Sequence, residues 1–305
     1  MGIKKIVGKI NETVMMKKSR ESIKEAHTQK RINTLLNTKS KFSTIEAYKA
    51  IRTNVIFTLG TDKPGCKKII ITSAIPGEGK TTTCINLAIA FAQTGSKVIV
   101  IDADLRKSRV YRHLSLEKND GLSDYLGGMK DLKEVIKTNK EYGIDCITSG
   151  RTPPNPVELM SSERMKTLLD ELSKDYDYIF MDTPPVTLVT DATSVAPHCD
   201  GVVVIARQNY TIHESLQRAI ANLKFADVKI LGFILNDVNL NSKRYANYQK
   251  YGKKGYGYGY GRGYGYGYGY GYGYGYGYGY GYGGYGYGEY GEYGEKPEDE
   301  DAKKK

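Results

Sequence analysis

From residue 67 onward, short apolar runs alternate with longer stretches in which apolar residues recur every three or four positions. The runs KKIIIT at 67–72 and KVIVI at 97–101 are continuously apolar, as strands buried on both faces are. Further runs follow at 144–148, 178–181, 202–206 and 230–235. Between them, 80–94, ended by Gly95, and 157–174 read as helices. This alternation predicts an α/β fold, a doubly wound and mostly parallel sheet with helices on both faces. Ligands of such sheets sit beyond the carboxyl ends of the strands. Upstream, 43–59 reads as a helix capped by Ser43 or Thr44, with Glu46 in its first turn and a turn (DKPG) at 62–65.

The two ends of the chain follow neither rhythm. Ile3, Ile6, Val7, Ile10 and Val14 recur at helical spacing with Lys4, Lys5 and Lys9 between them, a basic amphipathic pattern. Residues 1–41 carry eleven Lys or Arg against three Glu, so 11 − 3 = +8 of the formal +11 sits there. Such an arm either stays solvated or lies on an anionic membrane surface or a partner. From about Tyr245 the chain is nearly all Gly and Tyr, then Glu, Asp and Lys, a composition that cannot bury a core and predicts disorder. The expected organisation is therefore a basic arm at 1–42, one globular domain at 43–240 and a flexible tyrosine-rich tail with a charged end at 241–305.

Composition also narrows the function classes. No apolar run approaches the roughly 20 residues of a membrane span, and no signal-peptide pattern opens the chain, so a cytoplasmic location is expected. Cys66, Cys84, Cys146 and Cys199 are far apart with no C-x-x-C pair, as buried thiols are. The basic residues are not interleaved with aromatics, so no nucleic-acid partner is expected.

The chemistry concentrates at the ends of the apolar runs. Ser73-Ala74-Ile75-Pro76-Gly77-Glu78-Gly79-Lys80-Thr81 follows the first strand and opens a helix. Glycines there let backbone N–H groups converge on phosphate, Lys80 reaches the β and γ phosphates, and the Thr81 hydroxyl ligates magnesium. The candidate nucleotide-binding set is Pro76, Gly77, Glu78, Gly79, Lys80, Thr81 and Thr82, with Ala74 where the pattern's first Gly usually stands. Val100-Ile101-Asp102-Ala103-Asp104-Leu105-Arg106 ends the second strand, and Met181-Asp182-Thr183-Pro184-Pro185 ends a later one. Asp182 fits a magnesium carboxylate. Either Asp102 or Asp104 can serve magnesium, or accept the proton of an incoming hydroxyl, or cap the following turn.

These three elements resemble the Walker A, Walker A′ and Walker B motifs of the bacterial tyrosine kinases that regulate capsule and exopolysaccharide synthesis, over roughly residues 43–240 plus the tail. The resemblance implies a P-loop NTPase fold, ATP and Mg2+ as cofactors, Thr81, Asp102, Asp104 and Asp182 around the metal, and Lys80, Asp102, Asp104 and Asp182 as the catalytic set. It also implies a subunit-contact motif, E-x-x-R-x-x-R, matched by Glu46, Lys49 and Arg52, with Lys49 in place of the middle Arg. Two membrane spans found in single-chain relatives are missing here, so the resemblance implies the split form. The partners implied are a membrane activator of the polysaccharide chain-length-regulator type, further copies of the chain and a cognate tyrosine phosphatase, with recruitment to the inner face of the cell membrane.

Seven of the 27 tyrosines fall in the globular part, leaving 27 − 7 = 20 between Tyr245 and Tyr293. A Gly-rich chain of that length spans about 35–42 Å, enough to reach a neighbouring subunit. The family uses such a cluster for autophosphorylation, which makes Tyr256, Tyr258, Tyr260, Tyr264, Tyr285, Tyr287, Tyr290 and Tyr293 the expected acceptors. The G-x-G-x-x-G at 281–286 lacks a preceding strand and carries no meaning. Two other readings compete. A partitioning or cell-division-type ATPase shares the fold, but its cross-dimer lysine position holds Ile75 here. A self-assembling structural protein would use the Gly-Tyr tail alone and leave the intact Lys80, Thr81, Asp102, Asp104 and Asp182 without a purpose.

Overall fold

Alternate residues of each strand point to opposite faces, and in the computed structural model that alternation builds two cores on one sheet. The structure describes residues 34–60 and 65–239; the arm up to residue 33 and all the expected acceptor tyrosines lie outside the described residues. Strands β1 (Lys67–Ser73), β2 (Val98–Asp102), β3 (Ile136–Asn139), β4 (Ile144–Ile147), β5 (Tyr178–Asp182), β6 (Gly201–Arg207) and β7 (Ile230–Asn236) form a seven-stranded sheet in the order β3-β4-β2-β5-β1-β6-β7. Ile70, Ile99, Ile101, Ile179, Met181 and Val204 face one core, while Ile69, Ile71, Val98, Val100, Phe180 and Val203 face the other. Sheet strands of this type need both faces covered, and they are.

Helices α1 (Phe42–Leu59) and α2 (Lys80–Ala92) cover the second face, through Val55, Ile85, Leu87, Ile89 and Phe91. Helices α3 (Glu163–Leu172) and α4 (His213–Phe225) cover the first, through Met165, Leu168, Leu172, Ala219 and Leu223. Ten of the thirteen α2 residues are buried, so this helix is covered on nearly every side. Phe91 packs edge-on to Phe180 at 5.2 Å between ring centroids, locking the helix that follows the phosphate loop onto the strand that carries Asp182.

The pairings β1·β5, β1·β6, β2·β4, β2·β5 and β6·β7 are parallel, as the apolar runs predict. The edge strand β3 is antiparallel to β4 and was not legible, because its IKTN sequence is short, polar and only partly buried. Two helix boundaries differ from expectation. The predicted helix at 157–174 divides into Pro156–Met160 and α3, because the Ser162 hydroxyl accepts the Met165 N–H at 3.3 Å and starts a new helix. Helix α1 starts one residue early, on Lys41, whose carbonyl accepts the N–H groups of Thr44 and Ile45. Ser43 and Thr44 therefore lie inside the first turn rather than capping it, and Glu46 falls beyond that turn.

β1 sits near the middle of the sheet, with β5 and β2 on one side and β6 and β7 on the other. The crevice where connections diverge thus opens at the carboxyl ends of β1, β5 and β2, where the sequence motifs fall.

Candidate active site

The loop leaving β1 turns on two glycines. Gly77 and Gly79 both have φ +88°, a backbone that L side chains rarely adopt. Ala74 is not among the positive-φ residues and its methyl is buried in the core, so alanine costs nothing where the pattern usually has glycine. Lys80 opens α2, and Gly79 is its N-cap, so the first amides of the helix face the crevice at its positive dipole end. Pro76, Gly77, Gly79, Lys80, Thr81 and Thr82 line a cleft of about 300 Å³ whose opposite walls are Asp104, Arg106, Lys107 and Arg109 on one side and Pro184, Pro185 and Leu188 on the other.

Glu78 departs from its expected place. Its side chain is fully buried and does not line the cleft. One carboxylate oxygen accepts the Ile75 N–H at 2.8 Å, and the other accepts the Thr211 hydroxyl. It braces the loop from within, and only its backbone is available to a phosphate. Three further residues that the sequence reading missed hold the loop from the β6 and β7 side. Tyr210 donates its hydroxyl to the Pro76 carbonyl at 2.9 Å, Arg207 donates to the Gly77 carbonyl at 3.3 Å, and the Asn236 amide donates to the Glu78 carbonyl at 2.9 Å. Arg207 also stacks over the Tyr210 ring and pairs with Asp237 at 2.7 Å. Their signal is positional, since Arg207 and Asn236 are the last residues of their strands.

The four residues expected to carry the chemistry converge. The Lys80 ammonium lies 3.4 Å from Asp104 Oδ2 and 3.8 Å from Asp182 Oδ1. Burial alone would press its pKa down, but the carboxylates of Asp182, Asp104 and Asp102 outweigh that and hold it above the ordinary lysine value. Asp102 and Asp182 are fully buried. Desolvation, then the charge of Asp182, pushes Asp102 well above the usual carboxylate range, against the Val110 N–H that favours its ionised form. Desolvation raises Asp182 as well, with Lys80 and the Thr81 hydroxyl pulling it back.

The two members of the D-x-D pair differ in environment. Asp102 Oδ2 accepts the N–H groups of Arg109 and Val110 at 3.2 and 3.0 Å, which pins it beneath the floor of the cleft. Asp104 lines the cleft itself, with Oδ1 accepting the Lys107 N–H at 2.8 Å and Oδ2 turned to Lys80. Strand ends are tied together around them. Ala103 N–H donates to the Asp182 carbonyl, Thr183 N–H to the Ile71 carbonyl, and the Thr72 hydroxyl to the Pro184 carbonyl.

Both oxygens of Asp182 and Oδ1 of Asp102 are buried with no hydrogen-bond partner among the described residues. Buried carboxylate oxygens without a hydrogen bond are costly unless something cationic or water-bearing meets them, and Lys80 reaches only Asp182 Oδ1, at 3.8 Å. Beside Thr81, they fit magnesium with its waters. Among the described residues no cluster of three or more His, Cys, Asp and Glu could hold a metal alone.

The expected subunit-contact residues divide. Glu46 and Lys49 form an exposed pair at 2.8 Å on α1. Arg52 instead donates to the Ala90 carbonyl at 2.6 Å, fastening α1 to α2 within the chain.

A family profile described as AAA domain matches residues 66–230. The chain is 40% identical over 222 residues to the tyrosine-protein kinase YwqD of Bacillus subtilis, covering 73% of this chain and 92% of that one. Its fold superposes on the kinase domain of the Escherichia coli tyrosine kinase ETK with a TM-score of 0.62 at 34% identity, over 71% of this chain and 80% of that one. The septum site-determining protein MinD of Pyrococcus horikoshii, solved with Mg-ADP, is more distant, with a TM-score of 0.50 at 27% identity over 59% of this chain and 73% of that one. No helix among the described residues is long and apolar enough to cross a membrane. The phosphate loop, the paired acidic strand ends and this degree of identity across nearly the whole length of a tyrosine-protein kinase place the chain in the family of bacterial tyrosine kinases.

Proposed function

We propose that the chain transfers the γ-phosphate of ATP to tyrosines of its own C-terminal segment, between subunits, and so regulates capsular or exopolysaccharide synthesis. The observation that carries the catalytic part is Asp104, a carboxylate lining the cleft 3.4 Å from Lys80, while Asp102 is engaged beneath the floor by two backbone amides. Asp104 is therefore the base. A tyrosine hydroxyl has a pKa near 10 in water, so it needs such an acceptor to attack at neutral pH. Its oxygen bonds to the γ-phosphorus, the bond from that phosphorus to the β–γ bridging oxygen breaks, ADP departs, and the phenolic proton passes to Asp104. Lys80 and the loop amides stabilise the charge on the phosphates. Thr81, Asp182 and Asp102 would hold a magnesium ion, which would neutralise part of the phosphate charge.

Transfer between subunits is supported by the reach of the 20-tyrosine segment, about 35–42 Å, and by the exposed Glu46–Lys49 pair as part of a subunit contact. Each phosphate adds about −1.5 to −2 of charge, so phosphorylated segments repel and loosen the assembly. A membrane activator of the chain-length-regulator type, recruitment to the inner face of the membrane aided by the basic residues of 1–41, and reversal by a tyrosine phosphatase complete the reading.

Mixing a Lys80→Met chain with an active chain whose acceptor tyrosines are changed to Phe tests it, with magnesium and labelled ATP. Phosphotyrosine on the Lys80→Met chain is expected, and its loss when magnesium is chelated. An unlabelled Lys80→Met chain beside a self-labelling wild type would exclude transfer between subunits. A wild type that incorporates nothing would exclude the kinase reading.

A further inference from the structure

The wall of the cleft that carries Asp104 is cationic. From Leu105 to Leu116 the sequence holds Arg106, Lys107, Arg109 and Arg112 and no Asp or Glu. Arg106, Lys107 and Arg109 are exposed and line the cleft. Arg106 is partly offset by buried Asp191, 3.4 Å away. Lys107 and Arg109 have no carboxylate within ion-pair distance among the described residues. They are not needed to cradle the nucleotide phosphates, which the loop amides and Lys80 already face. Because they follow Asp104 by three and five residues, they flank any hydroxyl brought to that carboxylate.

The C-terminal segment is polarised in the complementary sense. Between residues 241 and 288 it carries six Lys or Arg and no acidic residue, whereas residues 289–301 carry seven Asp or Glu against the single Lys296. Tyr290 and Tyr293 stand in the sequence Gly288-Glu289-Tyr290-Gly291-Glu292-Tyr293-Gly294-Glu295, each with a glutamate one residue before it and another two residues after it. The other eighteen tyrosines of the segment lie in the neutral or basic part.

We propose that Lys107 and Arg109 are specificity residues that select tyrosines flanked by glutamate, so that Tyr290 and Tyr293 are the preferred acceptors and the Gly-Tyr repeat is phosphorylated later. The inference rests on the phosphotransfer reading above. A glutamate beside the acceptor meets Lys107 or Arg109 at the cleft mouth, whereas the cations of the 241–288 stretch are repelled from it. Two exposed ion pairs in the middle of the ordinary range, one to Lys107 and one to Arg109, correspond to about a five- to tenfold preference. Salt should reduce it, because exposed pairs are screened over roughly 10 Å at 0.1 M ionic strength.

The experiment uses the full chain with magnesium and ATP, quenched over a time course, with phosphate mapped by tyrosine. Tyr290 and Tyr293 should be modified at about five to ten times the initial rate of Tyr256 to Tyr282. Position near the chain end alone could favour them, so the decisive comparison is Glu289→Gln, Glu292→Gln and Glu295→Gln together, which keeps length, tyrosines and the folded part unchanged. That variant should lose the head start, as should the wild type at about 0.5 M salt. Lys107→Glu with Arg109→Glu should shift early phosphate to the basic stretch. A head start that survives the three Glu→Gln changes, or equal initial rates along the segment, would overturn the inference and leave the kinase reading standing. No phosphotyrosine anywhere would overturn both.

Discussion

Asp102 and Asp182 are register partners in the β2·β5 ladder, so two buried carboxylates project side by side from adjacent parallel strands. Neighbouring strands lie about 4.8 Å apart, and at that separation each charge opposes ionisation of the other. Among the described residues the Lys80 ammonium is the cation within ion-pair distance of the set, nearer to Asp104 than to Asp182. The free protein holds more negative charge here than it can pair, an arrangement complementary to magnesium and not to stability.

Asp102→Asn should therefore stabilise the nucleotide-free protein while abolishing phosphotransfer. The amide oxygen can still accept an N–H from Arg109 or Val110, and the repulsion with Asp182 is removed. A gain of about 1–2 kcal/mol is expected, which for a domain of this size is roughly 2–8 °C in melting temperature. Thermal melts of the mutant beside a phosphotyrosine assay check both halves. A lowered melting temperature would show that the second backbone hydrogen bond matters more than the charge.

The same pair sets a pH dependence. Both folded-state pKa values are raised above the ordinary 3.8. For a raised carboxylate, the stabilising contribution is fully present below the unfolded value and is lost as pH rises through the folded value. Nucleotide-free stability should thus fall across the interval above 3.8 as these groups ionise, while affinity for magnesium rises over the same interval. The melting shift produced by Mg-ADP should grow as pH rises from 3.8 through the raised folded-state values, and should grow less in Asp102→Asn. A shift independent of pH in the wild type would mean that neither carboxylate titrates in that range.

The sequence made most of this site legible because its chemistry is local. Lys80 and Thr81 announce themselves by following a glycine pair at a helix start, and Asp102, Asp104 and Asp182 by ending apolar runs. What it hid depends on contacts distant in the chain. Arg207, Tyr210 and Asn236 meet the loop from 130 residues or more away, and no spacing rule marks them. Glu78 looked like part of the phosphate site because it sits between two glycines, yet burial turned its side chain inward. Strand β3 was invisible because an edge strand needs little apolar surface. The break between Pro156–Met160 and α3 rests on one hydroxyl at Ser162, too small a signal to interrupt a helical pattern.

Glu78 should be worth more to the loop than to the nucleotide. Glu78→Ala leaves the Ile75 N–H and the Thr211 hydroxyl without their acceptor, and an unpaired buried group costs about 1–3 kcal/mol. The expected result is a lower melting temperature with nucleotide affinity reduced as a consequence, whereas Thr211→Val removes one of the two contacts and should cost less. Denaturant unfolding of both variants, with ADP binding measured by calorimetry, separates them. If Glu78→Ala binds ADP more weakly but unfolds at the wild-type midpoint, the side chain is reaching the ligand after all.

Gly79 is the position where the loop has least tolerance. Its φ of +88° disfavours any side chain, and a Cβ built there would collide with the Asn236 amide. That amide is not free to swing away at no cost, because it donates to the Glu78 carbonyl at 2.9 Å and so holds the peptide just before Gly79. Gly79→Ala therefore combines backbone strain of about 1–2 kcal/mol with loss of a partly buried hydrogen bond, at the residue that caps α2 and aims its first amides into the cleft. Nucleotide binding should fall by at least tenfold with a smaller loss of overall stability, since the sheet and both cores are untouched. Asn236→Ala tests the division between the two causes, because it deletes the hydrogen bond and also opens space for the new methyl. In the double variant Gly79→Ala, Asn236→Ala, ADP affinity should recover part of the loss seen in Gly79→Ala alone. If the double variant binds no better than Gly79→Ala, the collision contributes nothing and the left-handed backbone at Gly79 accounts for the whole effect.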